Sequence, residues 1–549
     1  MQAGNEFERV SRLDLAFAGF LSQRTALQAA EKNRFNMLLI TLAQRQRQGH
    51  TCIEINPQER ALLLASGLVC DVIQADIQEY PLIIEDNRLY LQRYWFYENR
   101  LAQQITQLDV NDYSINSLEP LLDRHFPKLT DDIDWQRRVA ECACRQALTI
   151  ITGGPGTGKT TTISKILAVL QELAENPLLI ALAAPTGKAA MRLQEAIAQN
   201  ADLLNCPQTV KQSIPQTAVT LHRLLGAKPP SPYFNHHAGN PLIYDVVVVD
   251  EASMVDLALM SKLCDALKPG ARLILLGDKD QLNSVESGAV LADLIDALPG
   301  NTVELTQSHR FNDEIKTLAD VINKQDDKTA WSILSVNGAT LGVLAPKQVL
   351  PFILAQRQRY VQLVSSGAAY SEIYREFSRF QVLCSNRHGA NAALMINQLV
   401  EQNLFGYVQN SAKNSWYSGC PVMVTQNQLA LHLYNGDIGI CLPDREQNGQ
   451  LMVYFQRPDG AVKKILPARM PTCETVFAMT IHKAQGSEFD DVLIVLPPVT
   501  NPVLSKELIY TAITRARKTI KIATDQSVFS AAVNNKVGRM TGLKAKLMK

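Results

Sequence analysis

The sequence carries almost no net charge, and this limits how a nucleic-acid partner could bind. Lys and Arg total 54 and Asp and Glu total 53, which leaves a formal charge of +1. A strongly basic protein attracts nucleic acid over much of its surface, so any such site here must be a local channel. The bulk charge therefore neither indicates nor excludes a nucleic-acid partner.

Long apolar runs and paired cysteines are also missing. No run approaches the roughly 18 apolar residues of a membrane span, and the charged N-terminus, with Glu6, Glu8 and Arg9, does not resemble a secretory signal. The ten cysteines are scattered without a CxxC pair, so packing explains them better than zinc or an iron–sulfur cluster. We expect a cytoplasmic protein without a membrane partner, since free cysteines suit a reducing compartment.

One glycine-rich stretch organises the chain: GGPGTGKTT, residues 153–161. It follows an apolar run and precedes a helical pattern, and this strand–loop–helix order is the context that a phosphate-binding P-loop requires. The loop N–H groups and the helix N-terminus favour phosphate. We expect Lys159 to reach the outer phosphates and the Thr160 hydroxyl to bind Mg²⁺. The alternative, a glycine turn that binds nothing, does not explain the Lys and Thr.

Continuous apolar strands alternate with helices after this loop. Residues 178–184, 246–249 and 273–276 are the clearest strands. Runs of this kind predict a parallel sheet that is buried on both faces, with functional residues just past the strand ends. The predicted fold class is therefore α/β.

Acidic and amide side chains follow two of these strands. Asp250 and Glu251 come directly after four valines, where a carboxylate beside a P-loop meets Mg²⁺ and a second one can accept a proton from water. The alternative is a helix start capped by Asp250 and Ser253. Gln281 follows the next strand and is placed to contact both the γ-phosphate and a neighbouring lobe.

A second alternating region begins near Leu305, with strands at 380–385 and 492–496. Two arginines in it, Arg310 and Arg515, would individually be surface residues. In a second α/β lobe they suggest arginine fingers, each typically worth about 10³ to 10⁵ in rate. ATP would then join the two lobes, and hydrolysis would open the cleft.

Other segments interrupt this pattern. Residues 203–244 predict a small insertion in the first lobe, in which His236 and His237 are solvated loop residues rather than metal ligands. Residues 405–475 predict a small β-barrel in the second lobe. The basic tail after Val533 predicts a mobile, solvated terminus, with a phosphate contact as the alternative.

The first 115 residues predict a separate small domain, mostly helical, followed by a linker at 111–130. A helix ends near Arg47, and a hairpin turns at Asp86-Asn87. The aromatic run Arg93–Tyr97 predicts a domain core with one exposed edge. A docking surface for a partner is the alternative, because Trp, Tyr and Arg are enriched at binding hot spots.

Taken together, the motifs resemble those of superfamily 1 helicases, in the expected order from about 135 to 518. They are TGGPGTGKTTT, AAPTGKAAMRL, TLHRLLG, VVVVDEASMVD, LLGDKDQLNSVESGAV, LTQSHRF, AMTIHKAQGSEFDDV and LIYTAITRARK. The residues of these motifs are most similar to those of the alpha-subunit family of bacterial exodeoxyribonuclease V. The N-terminal GHTCIEI and RLYLQRYWFYE also resemble that family, so the likeness covers almost the whole chain.

The resemblance implies two RecA-like lobes with a small insertion in each. Residues 1–115 would be a partner-docking domain, and residues 116–304 would be lobe 1A, with a pin-like insertion 1B at about 203–244. Residues 305–549 would be lobe 2A, with an SH3-like β-barrel 2B at about 405–475.

The resemblance also implies roles for individual residues. Those expected to bind ATP are Gln136 at adenine, Glu488 at ribose, and Gly153, Gly154, Pro155, Gly156, Thr157, Gly158, Lys159, Thr160 and Thr161 at the phosphates. Thr160 and Asp250 would bind Mg²⁺, while Glu251, Gln281, Arg310 and Arg515 would act on the γ-phosphate and water. Residues expected along single-stranded DNA are Pro185, Thr186, Thr220, His222, Asn435, Thr480 and His482.

The implied activity is ATP-dependent 5′→3′ unwinding of double-stranded DNA ends for recombinational repair. The family works as a heterotrimer with beta and gamma subunits, and the nuclease belongs to the beta subunit. A free-standing helicase of the same branch and an ATP-gated clamp that does not unwind are the alternatives. Intact Lys159, Glu251, Arg310 and Arg515 argue against the clamp.

Two features depart from or extend the family pattern. The chain has Gly419-Cys420-Pro421 where members usually read Gly-Arg-Pro, so a basic contact near the barrel is expected to be missing. Trp416 could stack on a DNA base, although packing in the barrel explains it better.

Overall fold

The computed structural model describes residues 10–72, 79–109, 113, 117–127, 134–306, 312–405, 416–457 and 461–549, with the side chain of Leu429 excepted. Within these ranges the strands form four sheets: one N-terminal, one in each of two α/β lobes, and one inserted in the second lobe. Among the described residues, no helix combines the length and apolar character needed to cross a membrane.

The N-terminal part contains helices and a small sheet that share one apolar core. The hairpin predicted at Asp86-Asn87 is confirmed: its two strands pair antiparallel, and Asp86 takes a positive φ of 53° in the turn. The strand order in the described sheet is β1-β4-β3-β2. The elements are α1 (Arg12–Ser22), α2 (Ala29–Arg47), β1 (Cys52–Glu54), α3 (Pro57–Ala65), β2 (Val69–Asp71), β3 (Leu82–Glu85), β4 (Arg88–Leu91) and α4 (Gln92–Asp109).

Helix α4 joins this part to the first lobe. Tyr94 and Trp95 at its start are buried and Phe96 is 42% exposed, which confirms a core role with one exposed aromatic edge. Further along, Leu101 and Ile105 pack in the same core as the helices and strands of the first lobe. The N-terminal part is therefore less separate than predicted, because a cut at residue 115 would expose an apolar core.

The first lobe is built on a parallel sheet of order β10-β5-β9-β8-β6-β7 in the described residues. Its central strands are fully buried, as the continuous apolar runs predict. Its elements are α5 (Leu118–His125), α6 (Trp135–Arg145), β5 (Leu148–Thr152), α7 (Lys159–Leu173), β6 (Ile180–Ala184), α8 (Gly187–Ala201), α9 (Gln208–Ser213), β7 (Ala218–Thr220), α10 (Leu221–Leu225), β8 (Val246–Val249), α11 (Leu257–Ala266), β9 (Arg272–Gly277), α12 (Val290–Ala297) and β10 (Thr302–Glu304).

The structure differs from the prediction in the bounds of two segments of this lobe, the insertion and the linker. Strand β7 lies inside the predicted insertion at 203–244, yet it pairs with β6 as an edge strand of the lobe's own sheet. The irregular stretch is thus shorter and follows α10. Helix α5 lies inside the predicted linker and packs on the lobe through Leu118 and Leu122, while residues 110–112, 114–116 and 128–133 lie outside the described ranges.

The second lobe has its own parallel sheet, of order β11-β20-β19-β12-β18 where the chain is described. Two parallel α/β lobes are therefore confirmed. The elements are α13 (Asp313–Asn323), α14 (Asp327–Ser335), β11 (Leu341–Leu344), α15 (Val349–Ser365), α16 (Tyr370–Arg379), β12 (Phe380–Cys384), α17 (Ala393–Phe405), β18 (Ala478–Thr480), β19 (Phe489–Val495), α18 (Lys506–Ile513), β20 (Ala516–Ala523) and α19 (Gln526–Asn534). The C-terminal helix α20 (Leu543–Leu547) follows them and packs outside this lobe.

An antiparallel sheet interrupts the second lobe between α17 and β18. Its described strands are ordered β16-β15-β14-β13-β17, and they fall inside the segment predicted to be a β-barrel. Trp416 is partly buried against this sheet, which agrees with a packing role. Cys420 is buried in the same apolar core. Its strands are β13 (Cys420–Val424), β14 (Ile438–Asp444), β15 (Gln450–Gln456), β16 (Val462–Ile465) and β17 (Cys473–Thr475).

The C-terminal tail is docked, so the prediction of a mobile terminus is wrong. Helix α20 packs against α4 and α12, with Leu543 buried. The Gly542 N–H donates to both carboxylate oxygens of Glu98, at 3.0 and 3.2 Å. The tail's basic composition suggested solvent exposure, but Arg539 donates to backbone carbonyls of the first lobe and Lys546 forms a buried ion pair with Glu85.

Candidate functional site

The P-loop lies between the end of β5 and the start of α7, as predicted. Gly156 and Gly158 take φ values of 79° and 81°, which favour glycine over residues with a Cβ atom. A Cβ atom on Gly153 would lie 2.7 Å from the Leu305 carbonyl oxygen. Thr157 donates from its hydroxyl to the Gly154 carbonyl at 2.9 Å. The glycines therefore allow a tight loop whose N–H groups precede a helix N-terminus.

Lys159 is the first residue of α7, and its ammonium lies over the loop. Its Nζ donates to the carbonyls of Gly153 at 2.6 Å and Gly154 at 3.0 Å. Gln136, from α6, approaches the other side of the loop, because a Cβ atom on Gly158 would lie 3.1 Å from its Nε2. A cation and an amide thus flank the same loop.

Asp250 and Glu251 lie at the end of β8. Burial and the neighbouring Glu251 raise the pKa of Asp250 to about 6, while Lys159 opposes the shift. Glu251 has a left-handed backbone, with φ 52°, and donates its N–H to Asp250 Oδ1 at 2.9 Å. The following helix α11 is capped by Asp256, not by Asp250 or Ser253. The helix-cap alternative for Asp250 is therefore excluded.

Asp278 and Gln281 follow β9 and reach the second lobe. The Gln281 amide donates to Asp278 Oδ2 at 2.9 Å, and the Tyr510 hydroxyl of α18 donates to the same oxygen at 3.1 Å. Burial raises the pKa of Asp278, and the charge of Lys159 opposes this. A single buried carboxylate thus accepts hydrogen bonds from Gln281 and from the opposite lobe, and the charge of Lys159 acts on it.

The second lobe contributes arginines and a glutamate. Arg515 is only 2% exposed, and it donates to the carbonyls of Thr511 at 3.1 Å and Ser487 at 3.3 Å. Glu488 accepts from Arg517 at 2.8 Å, and it lies 3.9 Å from Arg192 of the first lobe. Arginines from both lobes therefore line the cleft.

These groups line one cleft of about 490 Å³ between the lobes. Most predicted ATP residues are on its wall, whereas Gly153, Gly154 and Thr157 shape the loop behind it. The predicted residues on the wall are Gln136, Pro155, Gly156, Gly158, Lys159, Thr160, Thr161, Asp250, Glu251, Gln281, Glu488 and Arg515. Arg310 falls in residues 307–311, outside the described ranges, so its role stays a prediction.

Sequence reasoning did not assign several wall residues to the site. Arg192, Glu195 and Gln199 lie on one face of α8, and Asp278 and Arg517 flank predicted residues. Their spacing of three and four residues indicates a shared helix face, but only the packing of α8 shows that this face borders the cleft.

The residues predicted along DNA lie mainly at strand ends. Thr186 caps α8 after β6, Thr220 caps α10 after β7, and Thr480 ends β18. His222 lies edge-on to Phe234 at 5.8 Å, and burial lowers the pKa of His482. Pro185 and Asn435 occupy adjoining loops. The role of these residues in binding DNA stays a prediction.

Family models match both sides of the cleft. One described as an AAA domain matches residues 136–287, and one described as a UvrD-like helicase C-terminal domain matches residues 475–521. The first range carries the P-loop and the acidic residues, and the second carries Glu488 and Arg515. The chain is a P-loop ATPase of the helicase class.

Curated relatives define the family more narrowly. The RecBCD enzyme subunit RecD of Mycolicibacterium smegmatis is 38% identical over 84% of this chain and 82% of the relative. The subunit of the same name from Haemophilus influenzae is 35% identical over 84% of this chain and 80% of the relative. The chain belongs to the family of RecD subunits of the RecBCD enzyme.

Two further similarities are more partial. The ATP-dependent RecD2 DNA helicase of Deinococcus radiodurans is 33% identical, over 74% of this chain but 51% of the relative. A crystal structure of Pif1 helicase from Bacteroides in complex with ADP-AlF3 and ssDNA covers 74% of this chain and 94% of that chain. The two structures superpose with a TM-score of 0.41 at 18% sequence identity.

The raised pKa of Asp250 predicts how stability depends on pH. Because its folded pKa of about 6 lies above the ordinary value for Asp, stability is lost as pH rises from about 4 to about 6. We expect Asp250→Asn to be more stable than the wild type by about 2–3 kcal/mol at pH 7.5 without nucleotide. Thermal unfolding from pH 4 to 7.5 measures the difference, which should shrink toward pH 4.

The matched control is Asp296→Asn, at a carboxylate that is 61% exposed in a surface ion pair. It should change stability little at any pH. If Asp250→Asn is no more stable than the wild type at pH 7.5, the electrostatic account of the site is contradicted. A gain in stability that does not vary with pH would contradict it as well.

Proposed function

We propose that this protein is an ATP-dependent DNA helicase that moves 5′→3′ as the motor subunit of an exodeoxyribonuclease V complex. The observation that carries the proposal is the cleft between two α/β lobes, with Lys159, Asp250 and Glu251 on one side and Arg515 on the other. Such a cleft can convert nucleotide binding into lobe closure. Membership of the RecD family supports DNA as the substrate and 5′→3′ as the direction of movement.

Each group in the cleft has a chemical task in this proposal. Lys159 leaves the Gly153 and Gly154 carbonyls to bind the outer phosphates, and Gln136 recognises adenine beside the loop. Glu251 orients and deprotonates the attacking water. Arg515, already fixed by carbonyls of its own lobe, stabilises charge that develops on the γ-phosphate. Arg310 would add a second such charge.

Thr160 and Asp250 fit a magnesium site. Mg²⁺ commonly uses one or two protein oxygens and completes its octahedral shell with water and substrate phosphates, and the hydroxyl and carboxylate both line the cleft. When bound, the ion neutralises phosphate charge during transfer. The raised pKa of Asp250 indicates a carboxylate that a nearby cation would stabilise in its ionised form.

Single-stranded DNA is proposed to cross the strand ends of both lobes. Thr186 and Thr220 at the ends of β6 and β7, and Thr480 at the end of β18, would contact its phosphates, with Asn435 and His482 nearby. Such contacts do not depend on base identity. The exposed loop after α10 is proposed as the pin that separates the strands, and the antiparallel sheet as the SH3-like element.

The proposed partners are the beta and gamma subunits, with the nuclease on the former. The free thiols of all ten cysteines suit the reducing cytoplasm, where we place the complex. A free-standing helicase similar to RecD2 is the alternative. Because the RecD relatives are matched over most of their length and RecD2 over half, the subunit is preferred.

Lys159→Gln tests the P-loop. Without the ammonium, the outer phosphates lose a direct charge partner, so we expect ATP hydrolysis and unwinding to fall by at least about 10²-fold. Circular dichroism and nucleotide-free thermal unfolding should match the wild type. The control is Lys165→Gln, six positions further along α7. Near-normal unwinding by Lys159→Gln would contradict the assignment.

Strand polarity is tested with two tailed duplexes. A duplex with a 5′ single-stranded tail should be unwound, whereas one with a 3′ tail of equal length and sequence should not. A fluorescence-quenching unwinding assay with ATP and Mg²⁺ distinguishes them. The opposite preference would place the chain in the other branch of the superfamily.

Partner docking is better tested by surface substitution than by deleting residues 1–115, since α4 belongs to the core of the first lobe. Leu13 on α1 is 75% exposed, Phe20 on the same helix is 54% exposed, and Met37 on α2 is 62% exposed. Helices α1 and α2 pack on each other, and where exposed apolar side chains form a contiguous patch they mark an interaction site. We expect Leu13→Ser with Phe20→Ser to abolish co-purification with beta and gamma subunits while ATP hydrolysis by the chain persists.

Leu203→Ser is the matched control, because Leu203 is 80% exposed on the first lobe. It should leave co-purification unchanged. Retention of both partners by the double variant would show that docking uses another surface.

A further inference from the structure

The last 14 residues cross from the second lobe to the first. We call residues 536–549 the C-terminal strap. Just before the strap, the chain is anchored to the second lobe: Asn535 donates from Nδ2 to the Leu504 carbonyl at 2.6 Å, and its own carbonyl accepts from the Lys506 N–H at 2.8 Å. Helix α19, which precedes it, packs on α14 and α18 of the same lobe. The strap therefore begins as a continuation of lobe 2.

The far end of the strap is fixed on the N-terminal part and the first lobe. The Thr51 N–H donates to the Met540 carbonyl at 3.0 Å, and the Met540 N–H donates to His50 Nδ1 at 2.9 Å. The Thr541 hydroxyl donates to Asp293 Oδ2 at 2.7 Å. A Cβ atom on Gly542 would lie 2.0 Å from the Tyr90 hydroxyl, so this docking depends on close backbone approach.

Arg539 is the strap residue that contacts the loop after Gln281. Its Nη1 donates to the carbonyls of Glu286 at 2.8 Å and Gly288 at 2.7 Å, and its Nη2 donates to the Ser284 carbonyl at 2.5 Å. One planar guanidinium therefore holds three carbonyls of one loop. Gly49 lies against it, since a Cβ atom there would be 2.5 Å from Arg539 Nε.

That loop is the direct continuation of Gln281. Next to Gln281, the Leu282 N–H donates to the Thr511 hydroxyl at 2.9 Å, and the Leu282 carbonyl accepts from Gln485 at 3.1 Å. Two residues on, the Ser284 N–H donates to the Ser253 carbonyl at 3.1 Å, close to Glu251. The loop at 281–288 thus contacts the cleft, the opposite lobe and Arg539 within eight residues.

We propose that Arg539 is a positioning residue for ATP hydrolysis, which holds the loop at 281–288 in its reactive arrangement and connects it to lobe 2 through the strap. The proposal rests on the proposed ATPase function. Because the strap is continuous with lobe 2 at one end and fixed to lobe 1 at the other, movement of lobe 2 is transmitted to the loop through Arg539. Gln281 then contacts the γ-phosphate only when the lobes are correctly placed.

The test compares Arg539→Ala and Arg539→Lys with Lys544→Ala in the full-length chain. Lys544 is on the same strap, but its side chain is 46% exposed in a surface ion pair with Asp296. For each protein, kcat and KM for ATP are measured with and without oligothymidine. The fraction of molecules that binds a fluorescent ATP analogue is used to express kcat per competent molecule.

Arg539→Ala should lower DNA-stimulated kcat by about tenfold or more, since three charge-assisted hydrogen bonds to the loop are lost. KM for ATP should change less than about twofold, because the P-loop supplies most of the binding. Arg539→Lys should be intermediate, as it keeps the charge but loses the planar fork. Lys544→Ala should match the wild type.

Hydrogen exchange of residues 282–290 gives a readout that does not depend on activity. It should accelerate most in Arg539→Ala, less in Arg539→Lys and not in Lys544→Ala. A kcat per competent molecule equal to that of the wild type, or an equal loss in Lys544→Ala, would overturn the proposal. If the wild-type chain itself does not hydrolyse ATP, the proposed function has failed, which is a distinct outcome from loss in the variants alone.

Discussion

The arrangement of the whole cleft depends on one buried carboxylate, Asp278. Burying a charge is costly unless donors surround it. Here the donors come from different places: Gln281 from the same loop, the Asp280 N–H next to it at 3.0 Å, and Tyr510 from the other lobe. Lys159 lies near enough to moderate its raised pKa. The two lobes therefore contact each other at Asp278, beside the P-loop lysine that is expected to bind phosphate.

Parallel sheets in both lobes make this meeting possible. In each sheet the strands end at one edge, so the loops that follow β5, β8 and β9 lie together in the first lobe. The second lobe presents α18 with Tyr510, the turn after it with Arg515, and the start of β20 with Arg517. A further link, from Lys506 to Asp280 at 3.0 Å, adds an ion pair across the same boundary. A small movement of the groups that bind the phosphates can thus shift the position of both lobes.

Much of this could be predicted from the sequence, because local patterns determine it. Four consecutive valines before Asp250 predict a buried strand, and a glycine loop before Lys159 predicts a phosphate site. The features that the sequence did not predict depend on packing between residues that are distant in the chain. Nothing local shows that Ala218–Thr220 joins a sheet edge, that the face of α8 carrying Arg192 borders the cleft, or that basic residues after Val533 dock on α4. The SH3-like and pin-like descriptions and the DNA path still rest on the family.

We propose that ATP binds between the lobes and draws them together. Dyes attached through unnatural amino acids at the exposed positions Glu175 in lobe 1 and Lys328 in lobe 2 would report the distance between them by energy transfer. The account predicts a shorter distance when a non-hydrolysable ATP analogue and Mg²⁺ are bound than with no nucleotide. An unchanged distance, with the analogue demonstrably bound at the P-loop, would contradict it.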